Sequence, residues 1–162
     1  VLKYAAVASA LAVAGLATPL QASAQTFTPA SGPVTITGSL LIQETTTVSC
    51  DVTLTGQVMG GGSYIWVTGG SFAPGDWQCG WLIGPVGFSW QIHPFGAQHV
   101  IVYGMEITTV LGSCSGTPYI RWSSDNYSPN SSTMELIEVT IGGASSWCTL
   151  TGSLSVSGVT MQ

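Results

Sequence analysis

Apolar and polar residues alternate with a period of two along most of this chain, and the alternating stretches are built largely from Val, Ile, Leu, Thr and Ser. Val34, Ile36 and Leu40 share one parity against Thr35, Thr37 and Ser39. Val48, Cys50, Val52 and Leu54 do the same against Asp51, Thr53 and Thr55, and Cys148, Leu150, Leu154 and Val156 repeat the pattern. Successive side chains of an extended chain point to opposite faces, so this pattern makes strands with one buried face. β-branched residues favour that state because they pack well on a pleated surface. Further strands are expected at Tyr64–Thr68, Trp81–Trp90, Val100–Val110, Pro118–Ser123 and Thr133–Ile141. Turn clusters separate them, among them Gly60-Gly61-Gly62-Ser63, Ala73-Pro74-Gly75-Asp76 and the run from Asp125 to Ser132. About eight or nine strands at this spacing predict an all-β domain, an antiparallel β-sandwich or a barrel-like closure. No segment after Gln25 carries a convincing helical period.

Charge narrows the function. Only 6% of the 162 residues are charged, against about 25% in an ordinary soluble domain. Lys3 and Arg121 are the two full cations, too few for the basic patch that phosphate neutralisation requires, so no nucleic-acid partner is expected. The N-terminus reads as an address. Lys3 precedes an Ala/Val/Leu run that ends near Ala17, Pro19 breaks it, and Ala22-Ser23-Ala24 supplies small residues at the −3 and −1 positions. This is the plan of a secretory signal peptide, and the run is shorter than the roughly 20 residues of a membrane span. Residues 1–24 are therefore expected to be a leader, and residues 25–162 a single secreted domain with no transmembrane span. Without the leader, Arg121 stands against seven carboxylates.

Cys50, Cys79, Cys114 and Cys148 all follow that leader, without the C-x-x-C spacing of zinc or redox sites. Two disulfides are expected. Three pairings are possible, and the reading leans to Cys50–Cys148 between strands with Cys79–Cys114 joining turn-rich segments. Gly112-Ser113-Cys114-Ser115-Gly116 imitates a nucleophile elbow, but a strand rather than a helix follows it and both histidines, His93 and His99, precede it. The two histidines lack a neighbouring ligand cluster. Glu135 and Glu138, three apart on a strand, should face opposite sides, with Glu106 on another strand. No catalytic residue, metal site or cofactor is expected.

The aromatic residues carry more information. Six tryptophans exceed the ordinary need of a core this size. Tyr64-Ile65-Trp66 and Tyr119-Ile120-Arg121-Trp122 place large groups on both faces of their strands. One face belongs to the core; the other is free to stack on sugars, meet a second subunit or touch an apolar surface. Trp77 and Trp81 flank Cys79 in a Pro/Gly/Asp-rich segment and are the best candidates for exposure; Trp122 joins them as a third candidate contact.

The order of several short motifs resembles the PraB-like family of alkane-oxidation activators. These are Cys50 with Val52-Thr53-Leu54-Thr55-Gly56-Gln57-Val58; Ile65-Trp66-Val67-Thr68 running through Gly70-Ser71-Phe72 to Cys79; Gly87-Phe88-Ser89-Trp90; the block from Gly104 to Gly116; Trp122; and Cys148-Thr149-Leu150-Thr151-Gly152-Ser153-Leu154. Phe88-Ser89-Trp90 departs from the Leu-Pro-Trp that the family pattern suggests. The resemblance implies an extracellular or cell-surface protein, without catalytic residues, connected with growth on hydrocarbons, biofilm and adhesion. The expected partners are an apolar or cell-surface interface, a polysaccharide, or further copies of the chain. Two other readings of the same residues are a carbohydrate-binding module with Trp77, Trp81 and Trp122 as its platform, and a pilin-like fibre subunit donating Phe27–Leu41 to its neighbour.

Overall fold

The computed structural model describes residues 24–125, 128, 130–143 and 146–162. Of the expected leader, Ala24 alone falls among them. Among the described residues thirteen strands follow in chain order: β1 (Phe27–Thr28), β2 (Gly32–Gln43), β3 (Thr47–Met59), β4 (Tyr64–Gly75), β5 (Gly84–Val86), β6 (Trp90–Pro94), β7 (His99–Tyr103), β8 (Met105–Thr109), β9 (Gly112–Gly116), β10 (Tyr119–Ser124), β11 (Ser131–Gly143), β12 (Trp147–Ser157) and β13 (Thr160–Met161). The described residues contain no helix, and hence none long and apolar enough to cross a membrane.

Eight strands close an antiparallel barrel in the order β10-β7-β6-β4-β3-β2-β12-β11, with β11 returning to β10 through the pairs Arg121/Glu135 to Ser124/Ser132. Five of these, β2, β3, β4, β11 and β12, are 11 to 13 residues long, which at about 3.4 Å per residue makes a tall barrel. Between β4 and β11 two sets of short strands share the height. At one end β6, β7 and β10 pair in sequence. At the other, β9, β8 and β5 branch from the far end of β11, where Gly142 opposes Ser115, and β5 comes back against β4. An irregularity between Leu136 and Val139 separates the two halves of β11.

The alternation seen in the sequence becomes the inside and outside of the barrel. Along β3, Val48, Cys50, Val52, Leu54 and Val58 are buried while Ser49, Asp51, Thr53 and Thr55 face solvent. Trp90, Trp122, Phe27 and Phe72 are the bulkiest fully buried side chains. The Trp90 indole N–H donates to the Val86 carbonyl at 2.8 Å, tying the two short-strand sets together. β1 and β13 pair over the end where Phe27 packs on Trp122, ring centroids 5.3 Å apart. Ser132, buried there, donates to the Val159 carbonyl at 2.9 Å. The barrel interior is solid: about 20 Å³ of free volume remains among its apolar side chains.

Several expectations need correction. The segment from Trp81 to Trp90 is not one strand; β5 and the start of β6 lie within it, with turns on either side of β5. Val100–Val110 divides into β7 and β8 because Gly104 takes a φ of 73°, a left-handed turn that glycine adopts without steric cost. Gly112–Gly116, expected to be turn-rich, is strand β9, so Cys114 lies in a ladder. The disulfides are Cys50–Cys79 and Cys114–Cys148, not the pairing first favoured. Register explains the change: Cys50 opposes Gly75, which brings the turn carrying Cys79 back over it, and Cys114 on β9 lies next to the end of β11 whose partner is Cys148.

Candidate functional site

Both disulfides sit at the end of the barrel where β2 leaves and β3 begins. Between Gly75 and Ile83 the chain forms a compact loop that the Cys50–Cys79 bond joins to β3. The Ser49 N–H donates to the Asp76 carboxylate at 2.8 Å, and the Asp76 N–H donates to the Ser49 carbonyl at 3.0 Å. Inside the loop the Cys79 N–H reaches the Asp76 carbonyl at 2.8 Å, and the Leu82 and Ile83 N–H groups both reach the Gln78 carbonyl. Gly75 permits this closeness. Its φ is 147°, and a Cβ there would lie 2.8 Å from both the Cys50 Cα and the Cys79 Sγ.

The loop is thus a braced support, and it displays two indoles. Trp77 is 71% exposed and Trp81 78% exposed, with ring centroids 6.4 Å apart and tilted by 57°. Their backbones are held while their rings point away from the barrel. Trp147, Val110 and Leu111 are further exposed apolar side chains on β12 and the β8–β9 turn. Val110 shares a small depression with Ile83, at the foot of the loop. The same end therefore carries a discontinuous apolar rim on a chain with little charge.

Trp122 does not join these rings. It is 1% exposed, because even-numbered residues of β10 turn inward and its indole fills the capped end against Phe27. It is a core residue and not a surface contact.

A second aromatic surface lies on the outside of β4, β6, β7 and β10. Register aligns it in rows: Trp66, Gln91 and Tyr103; then Tyr64, His93, Ile101 and Tyr119; then His99 and Arg121. Tyr64 stacks on His93 with centroids 5.2 Å apart, and Tyr103 meets His93 edge-on at 5.1 Å. Tyr119 stacks on His99 at 4.4 Å, with Phe95 edge-on to it at 5.2 Å. His93 Nε2 lies 2.9 Å from Gln91 Oε1, and burial lowers its pKa from the ordinary value. In the sequence alone these histidines have no neighbouring ligand cluster. Their outward parity, opposite to Ile92 and Val100, was legible, but the neighbours from other strands depend on register.

The carboxylates do not assemble. Glu135 pairs with Arg121 at 3.4 Å. Glu138 lies at the irregularity of β11 with a φ of 48° and is exposed like Glu135, so the rule of opposite faces fails at that point. Glu106 pairs across to Ser115, whose own partner is Gly142 at the other end of β11. Glu44 lies close to Cys114 and Cys148, but those sulfurs are bonded to each other and offer no thiolate. Nor is β2 available as a donated strand: β3 and β12 pair with its two edges within the same chain.

Fold and surface together define a disulfide-linked antiparallel β-barrel with a solid interior, whose distinctive chemistry is carried by aromatic rings outside. A family model described as alkane oxidation protein activator PraA/PraB-like matches residues 1–161, and the chain belongs to that family. No curated protein and no solved structure matches it.

Proposed function

We propose that this protein is exported as residues 25–162 and assists hydrocarbon use physically, by adsorbing at apolar or cell-surface interfaces rather than by catalysis. The observation that carries this reading is the pair Trp77 and Trp81, displayed on a loop whose backbone is already fixed. A fixed loop loses little conformational freedom on adsorption, so more of the gain from burying the rings is retained. Each indole buried against an apolar phase contributes about 2–3 kcal/mol before ordering costs. The solid interior supports action at the surface, since it offers no room for an alkane chain within the barrel. Two disulfides suit an oxidising compartment, in accord with the leader read from the sequence.

Co-flotation with hexadecane droplets tests the reading. The oxidised protein should leave the aqueous phase with the droplets, and a Trp77→Ser/Trp81→Ser variant should remain largely in the water. Equal partitioning of the two proteins would refute it.

A further inference from the structure

We propose that the outer face of β4, β6, β7 and β10 binds an acidic polysaccharide, one that carries carboxylated sugars. This surface is separate from the Trp77/Trp81 loop, and the inference does not rest on the interfacial reading.

The first observation is the composition of the face. Tyr64, Trp66, Tyr103 and Tyr119 are interleaved with Gln91, His93, His99 and Arg121 in aligned rows. A sugar ring presents C–H groups on its faces and hydroxyls around its edge, so it needs an aromatic plane next to hydrogen-bonding side chains. A hydrocarbon phase would instead strip water from Gln91, the histidines and Arg121 without replacing their hydrogen bonds, which is unfavourable.

The second observation is charge. Arg121 carries the permanent positive charge of the described residues, and His93 and His99, the other two side chains able to take a proton, lie on the same face of a chain with seven carboxylates, with burial disfavouring the proton on His93. One of those carboxylates, Glu135, borders it and engages one guanidinium nitrogen of Arg121 at 3.4 Å. A guanidinium has five N–H donors, so this pair leaves others for a ligand. Ser123 and Thr133 line a shallow depression together with Arg121 and Glu135, adding hydroxyls at the rim. Attraction of a uronate to Arg121, with Glu135 at the border of the face and the other carboxylates elsewhere, sets the orientation of the chain on the face.

Calorimetric titration of the oxidised protein with a galacturonate hexasaccharide, and separately with maltohexaose, tests this. The galacturonate should bind at least about tenfold more tightly, and added salt should reduce that preference. Arg121→Gln should bring the two affinities together. Tyr119→Ala should abolish both, with Tyr103→Leu as a second variant that keeps a bulky strand residue, and Trp77→Ser should leave both unchanged. No binding of either sugar, equal affinity for both, or loss of binding in Trp77→Ser would overturn the proposal. Sedimentation showing a dimer that Arg121→Gln dissociates would overturn it as well, since the face would then be occupied by a second copy.

Discussion

Asp76 accepts a hydrogen bond from the backbone N–H of Ser49 at 2.8 Å, immediately before the half-cystine Cys50. The reciprocal bond from the Asp76 N–H to the Ser49 carbonyl makes this a two-point clasp beside the disulfide. The clasp holds the base of the loop, and the loop displays the two exposed indoles. Bracing and display are separate jobs in this segment, and substitutions should separate them.

Asp76→Ala removes one half of the clasp and should lower unfolding stability by about 1 kcal/mol, since the bond is exposed to solvent. Cys50→Ser/Cys79→Ser opens a link of 29 residues and should cost about 3–4 kcal/mol in the loop-entropy account. Gly75→Ala forces a Cβ against Cys50 and Cys79 and should also destabilise. Urea midpoints report all three. Both Trp77 and Trp81 remain in each variant, so a loss of droplet binding larger than the loss of folded protein would show that the fixed backbone itself matters.

Exposure and burial divide the tryptophans into two groups. Trp122→Ala empties a site packed on Phe27 and should cost about 3–5 kcal/mol. Trp77→Ser and Trp81→Ser should each change stability by no more than about 0.5 kcal/mol. Denaturant unfolding of the three variants gives the comparison. A large cost at Trp77 would mean that its ring supports the fold.

The pH dependence of stability isolates His93. Its pKa is lowered from 6.5 by burial, so the unfolded chain takes up this proton before the folded one as pH falls. The contribution of the neutral imidazole is therefore fully present above about pH 6.5 and is lost as pH falls through the lowered native value. Wild type should lose more stability than His93→Gln between about pH 7.5 and pH 5. Parallel curves would contradict the assigned cause.

The all-β class was legible because inward and outward residues differ so sharply along β2, β3 and β12. Closure was not decided by the same pattern, since a sandwich and a barrel both give one buried face to each strand. What closes this barrel is the pairing of β10 with the first half of β11, a contact between segments that the pattern alone cannot align. The exposure of Trp77 and Trp81 followed from their turn-rich neighbourhood. Trp122 was misread because a lone tryptophan at a strand position is equally compatible with either face; its parity with Ile120, buried beside it, was the available clue. The disulfide pairing and the rows of the aromatic face both depend on register, which connects residues far apart in sequence.

Register also changes the outlook for self-association. Barrel closure pairs both edges of each of its eight strands. The outer edge of the β9-β8-β5 branch is a three-residue strand containing Pro85, and short strands and proline both discourage edge pairing.

Pendant-drop tensiometry at a hexadecane–water boundary tests the central claim most directly. At matched concentration and ionic strength, the oxidised protein should lower the tension faster and further than a disulfide-bonded secreted protein of similar size. The Trp77→Ser/Trp81→Ser variant should fall back to the control curve. A wild-type curve that overlays the control, or a double variant as active as wild type, would contradict the account.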